Sequence, residues 1–219
     1  MKFDTTFLLA TLSLLSGVQL CAAAPTTSSS SLAAPTKTHS KTHTTPRPTP
    51  TTPTRKVIES KLELPANLTR KHVLSGQGRQ VYNCQRTDGK IGWVLVDAYA
   101  TLKYTKGRSH HIVANLTLAN GQHKFTHDDT ATPNDVSSVT AKITKTTKEF
   151  SGATNLPWAL LSATSTTYAK KSEYFANTRN VIRAFTEGGL TTPKKKCEYV
   201  KHIGREYRSF FRAQYWFYE

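Results

Sequence analysis

Gln80-Val81-Tyr82-Asn83-Cys84-Gln85-Arg86-Thr87-Asp88-Gly89-Lys90-Ile91-Gly92-Trp93-Val94-Leu95-Val96 is the stretch that decides the fold. Its first five residues alternate as a half-buried strand does, and Ile91 to Val96 is an apolar run of buried-strand length. Between them stands Asp88-Gly89, a pair that accepts the positive φ of a two-residue hairpin turn. The pattern continues outward. His111 to Leu118 and Val139 to Ile143 are rich in β-branched residues, and Phe211-Arg212-Ala213-Gln214-Tyr215-Trp216-Phe217-Tyr218 is aromatic with period two. Asn120-Gly121 offers a second hairpin, while Lys106-Gly107, Thr132-Pro133-Asn134-Asp135 and Gly188-Gly189 are further turn signals. Many short strands predict a mainly β domain, an antiparallel β-sandwich or open barrel with at most one or two short helices. Ala169 to Arg183 is the helix candidate, with Tyr174, Val181 and Ile182 on its buried face.

The 219 residues suit one domain with appendages. Residues 1–23 read as a secretory signal peptide: Lys2, an apolar run from Phe7 to Leu15, then small residues around a cleavage point after Ala23. Ser16 and Gln19 interrupt the run too early for a membrane span. Residues 24–56 read as a disordered linker. From Pro25 to Thr54, 22 of 30 residues are Ser, Thr or Pro, a composition that buries too little to fold and reads as an O-glycosylated stalk. Residues 57–219 form the β-rich domain, long enough to bury roughly two-thirds of its unfolded surface. The protein is therefore expected to be secreted and extracellular.

Thirty Lys and Arg against 14 Asp and Glu give a net charge of +16. Such a potential favours an anionic wall or host component, with nucleic acid a further polyanion of the same kind. Two cysteines outlast signal removal, Cys84 and Cys197, and in an oxidising compartment they are expected to pair; two separate buried thiols are the alternative. Asn67-Leu68-Thr69 and Asn115-Leu116-Thr117 are N-glycosylation sequons, the second lying mid-strand.

The carboxy-terminal two-thirds resembles a family of unknown function found in secreted proteins of fungi and some bacteria, whose fungal members often carry a malate dehydrogenase label. The resemblance rests on ordered blocks. Gly76-Gln77-Gly78-Arg79-Gln80-Val81-Tyr82-Asn83-Cys84 matches a Gly-x-Gly-x-Gln-x-Tyr-x-Cys opening, and Gly107 to His111 is similar to a Gly-x-His stretch. Leu156-Pro157-Trp158-Ala159-Leu160-Leu161, then Arg183 to Gly189 with Pro193 and Cys197, then Phe211 to Tyr218 complete it. The family's Trp-Asp-Phe segment is poorly kept around Lys124 to Asp129. The resemblance implies a secreted β-rich domain with its two cysteines paired, and it brings no catalytic residues. The dehydrogenase label fails a physical check. Gly76-x-Gly78 lacks the third glycine and opens a strand rather than a helix, so no helix N-terminus meets a pyrophosphate. No cofactor is expected.

Other chemistry centres on His110, His111, His123, His127, Asp128 and Asp129. On paired strands His111 would approach His123 or His127 as metal ligands or an acid/base pair, although solvated surface histidines are the plainer reading. A ribonuclease-like site could draw on His111, Glu187, Arg183 and His202. A Tyr-x-Cys opening with a late Cys is also similar to the ribonuclease-like effectors of plant-pathogenic mildews. Lys194-Lys195-Lys196 is a basic run, read either as nuclear import or as a solvated loop. The expected function is a secreted, non-enzymatic fungal protein acting at the cell wall or host interface, such as a virulence effector. The alternative is a small secreted hydrolase, ribonuclease-like or glycan-degrading, built on the His/Asp group.

Overall fold

The computed structural model describes residues 52–105, 112–127, 136–168, 173–191 and 196–219. The expected signal peptide, almost all of the expected linker, and His110, His111, Asp128, Asp129, Lys194 and Lys195 lie outside these residues. Compact unit Pro50–Glu219 holds everything that follows. Eight strands follow one another: β1 (Arg70–Thr87), β2 (Lys90–Tyr104), β3 (Ile112–Ala119), β4 (Gln122–His127), β5 (Ser138–Thr147), β6 (Trp158–Thr167), β7 (Asn180–Gly188) and β8 (Glu206–Tyr218). Each pairs antiparallel with the next, and β8 returns to β1 to close the barrel. The mainly β antiparallel architecture read from the sequence is the one found, and its sheet has no free edge.

Both hairpin pairs work as their chemistry demands. Asp88 and Gly89 have φ of 50° and 76°, Asn120 and Gly121 φ of 52° and 72°, the doubly positive signature of a type I′ turn. By strand order, these turns and the β5-to-β6 and β7-to-β8 connections fall at one end of the barrel, hereafter the hairpin end. Along each strand alternate residues face inward. Leu74, Leu102, Leu116, Phe125, Leu161 and Phe217 are fully buried in the barrel core. Gly76 and Gly78 serve close packing rather than a nucleotide. A Cβ at Gly76 would lie 2.7 Å from Cε2 of Tyr215, and one at Gly78 only 1.9 Å from the carbonyl oxygen of Tyr99.

A second cluster lies outside the barrel. Helix α1 (Arg55–Lys61) lays Ile58 and Leu62 over Trp158, Ile182, Trp216 and Tyr218. The Tyr218 hydroxyl donates to Glu59 at 2.7 Å. Arg55 and Lys56, at the end of the expected linker, are the first turn of this helix.

The described part of the helix candidate, residues 173–183, is not helical. Positions 174–177 form a turn, and β7 begins at Asn180. Val181 joins the barrel core while Ile182 joins the outer cluster, so the two buried neighbours serve opposite faces, the period of a strand. A bulge between Ala184 and Glu187 then resets the register. It holds Phe185 at φ 50°, against Trp158 at 5.0 Å on the outer side. No helix among the described residues is long and apolar enough to cross a membrane.

Candidate functional site

The alternation that sends Val181 inward also sends Arg183 inward. Its cross-strand neighbours are Ala159 of β6 and Tyr215 of β8, and residues directly opposite share a face. Arg183 is only 4% exposed. Its Nη2 donates to the Pro157 carbonyl at 3.1 Å, and its Nε has no hydrogen-bond partner among the described residues. A guanidinium stays protonated in a protein, so this is a positive charge within the barrel.

Three more polar side chains gather within its field. Tyr215 is fully buried beneath Phe125, whose ring meets it edge-on at 5.3 Å. Burial pushes the Tyr215 hydroxyl up to about 12, with Arg183 acting in the opposite direction. His123 on β4 is 4% exposed, and burial, reinforced by Arg183, pushes its imidazole down to about 3. The Tyr215 hydroxyl and the His123 Nδ1 both lack a hydrogen-bond partner among the described residues. Tyr82 is satisfied: its hydroxyl donates to the Gly189 carbonyl at 2.8 Å and lies 3.1 Å from Oε1 of Gln80.

The cover over this end is tightly bonded. Leu156 N–H donates to the Gly188 carbonyl at 2.8 Å, Gly188 N–H to Oδ1 of Asn155 at 2.8 Å, and the Thr186 hydroxyl to the Leu156 carbonyl at 2.5 Å. Cys84 and Cys197 form a disulfide, fastening the far end of β1 to the segment that precedes β8.

The histidines are divided. His123, read from the sequence as a solvated residue, is buried, because the odd-numbered positions of β4 face the core with Phe125. His127 shares that face, four residues and about 13 Å along the strand from His123. It lies at the opposite mouth, where its ring stacks on Tyr174 at 4.6 Å; Tyr174 also stacks on His72 at 4.0 Å. Burial holds the His72 imidazole below its ordinary pKa. His72 went unnoticed in the sequence because its partner Tyr174 is a hundred residues away. Among the described residues no three His, Cys, Asp or Glu side chains form a group suited to a metal ion.

The proposed ribonuclease members separate as well. Arg183 points inward, Glu187 is exposed 4.0 Å from Arg212, and His202 sits in a 3-10 turn, Val200–His202, where its Nδ1 accepts the Glu198 N–H at 3.4 Å. Asn67 is exposed at φ 66° just before β1, and Asn115 is half-buried in mid β3, between Thr101 and Thr126. Lys196 is exposed.

The buried imidazole has a consequence for stability. With a folded pKa near 3 against about 6.5 unfolded, His123 binds fewer protons folded than unfolded. Stability therefore falls as pH drops from about 6.5 towards 3, by about 1.4 kcal/mol per pH unit from this group alone. Urea unfolding at several pH values in that window is expected to show this component in the wild type and not in His123→Gln. Equal slopes would mean that the folded barrel protonates His123 freely.

Fold and site together define a disulfide-closed, eight-stranded antiparallel barrel with a cationic interior. Residues 65–219 match the family described as protein of unknown function (DUF3455), and the chain belongs to that family. No curated protein and no solved structure matches the chain.

Proposed function

We propose that this is a secreted, non-catalytic fungal protein that holds an anionic polysaccharide at the cell wall or host surface, in the manner of a virulence effector. Residues 1–23 direct its export and residues 24–54, up to the start of α1, space the barrel from its attachment. The Cys84–Cys197 bridge suits an oxidising compartment. The observation that carries the binding role is the outer face of β3 to β6. No Asp or Glu occurs in these four strands. Their outward positions present Lys124 opposite Thr140, and Lys142 opposite Ser162, within a field of hydroxyl and amide groups. On the β8 side the cations are partly answered by acids, Arg208 by Glu206 at 2.6 Å and Arg212 by Glu187 at 4.0 Å. Lys145 of β5 is answered by Glu63, so it is at Lys124 and Lys142, farther along this face, that a polyanion meets positive charge without a strand carboxylate beside it.

Retention on immobilised polygalacturonate tests this. The wild type is expected to bind at low salt and to be released as salt rises, because exposed charges are screened. Lys124→Glu with Lys142→Glu is expected to weaken binding by about tenfold, since each exposed charge contributes little alone. Retention unchanged by that double reversal would overturn the assignment of the face. Cleavage of RNA or glucan that disappears when His111, His123 and His127 are replaced by Ala would favour the hydrolase instead.

A further inference from the structure

The interior charge has no role in surface binding. Arg183 is a buried cation that no carboxylate among the described residues reaches; the groups that favour its charged form are Tyr215 and Tyr82. Desolvating an unpaired charge costs several kcal/mol, and structures retain such a group where something compensates it. Beside it the Tyr215 hydroxyl and the His123 Nδ1 also lack a hydrogen-bond partner among the described residues and are almost wholly buried. Three unpaired polar groups within one barrel core form a set, because each one alone is costly.

We propose that the barrel interior binds a small carboxylate between the Arg183 guanidinium and the Tyr215 hydroxyl, with the His123 imidazole beside them. Arg183 and Tyr215 stand directly opposite on β7 and β8, so their Cβ atoms are about 5 Å apart and both donors serve one planar group. Nε–H of Arg183 donates to one carboxylate oxygen and Oη–H of Tyr215 to the other. One guanidinium charge matches a monoanion, whereas a phosphate dianion would leave negative charge buried. The neighbouring inward positions are small: Ala159 beside Arg183, Ala141 beside His123, and Ala213 two residues before Tyr215. An eight-stranded barrel is just wide enough to be filled by its own side chains or to hold one small ligand, and the small residues at these three positions favour the second. Phe125 lies above Tyr215 and Leu156 covers the hairpin end, so the remainder of the ligand is short and apolar. Benzoate and acetate are the probes of choice, with benzamide as the neutral isostere of the first.

The test is thermal unfolding and calorimetric titration of the full chain. Benzoate or acetate is expected to raise the Tm of the wild type in a concentration-dependent way, while benzamide leaves it unchanged. Arg183→Met, which replaces a buried charge by an apolar chain of similar length and is expected to fold, should abolish the response. Tyr215→Phe, which removes only the hydroxyl, should weaken binding by about tenfold. Absence of any response in the wild type would overturn the proposal. So would equal responses to benzoate in wild type and Arg183→Met, or a response to chloride as strong as that to either carboxylate. None of these outcomes bears on polygalacturonate retention, so the two binding roles stand or fall separately.

Discussion

Cys84→Ser is expected to bring the barrel to the edge of unfolding. The bridge joins residues 113 apart, and in the chain-entropy account a loop of that size contributes roughly 4–5 kcal/mol. A domain of this kind has a total stability of about 5–15 kcal/mol. Other bonds at the same place are few: Cys84 N–H donates to the Arg205 carbonyl at 2.8 Å, and Gly204 N–H to the Cys84 carbonyl at 2.9 Å. The expected loss corresponds to a Tm lower by about 10–20 °C, or to failure of secretion. Scanning calorimetry of Cys84→Ser and of the double Cys84→Ser/Cys197→Ser variant measures it, the second excluding an effect of the stranded thiol. A Tm within two or three degrees of the wild type in both would show that segment 196–205 holds itself in place.

Gly78→Ala is the second large expected effect. The new Cβ would lie 1.9 Å from the Tyr99 carbonyl oxygen and 2.5 Å from Cβ of Ala100. Both atoms belong to β2, to which Gly78 is paired directly opposite Ala100. Neither is the free end of a flexible side chain, so the two strands must separate where the barrel is tightest. A loss of about 3 kcal/mol or more is expected. Gly92→Ala is the matched control, since a Cβ there meets nothing within 4 Å. Urea unfolding of the two variants decides the matter; similar midpoints would mean that the close approach of β1 and β2 carries no energetic weight.

Much of the barrel was legible before its structure was known, and particular residues explain why. Asp88-Gly89 and Asn120-Gly121 announce their hairpins because few other pairs accept two positive φ values in succession. Phe211 to Gln214 alternates visibly because Phe211 and Ala213 face the barrel core while Arg212 and Gln214 face outward; from Tyr215 to Tyr218 one face lies in the core and the other under α1, and the alternation in polarity gives way to an aromatic run. Those two coverings also explain the misreading of β7. With both faces buried, Val181-Ile182 loses its alternation in polarity and reads as part of a helix face. The interior site was illegible for a different reason. Arg183, His123 and Tyr215 lie far apart in sequence, and only closure of the sheet decides that all three face the same enclosed space. A strand-level reading assigns charged and imidazole side chains to solvent, which is the right assignment for Lys142 and the wrong one for Arg183.

The pairing of β1 with β8 also governs how the chain must be made. β1 emerges early from the ribosome, yet its second partner is the last strand to be synthesised. Throughout that interval one edge of an eighteen-residue strand has no native neighbour, the state in which strands recruit one another. Cys197 emerges just ahead of β8, so the covalent tie is delayed almost as long. The barrel therefore closes only once β8 has emerged, and until then the seven earlier strands can form no more than an open sheet.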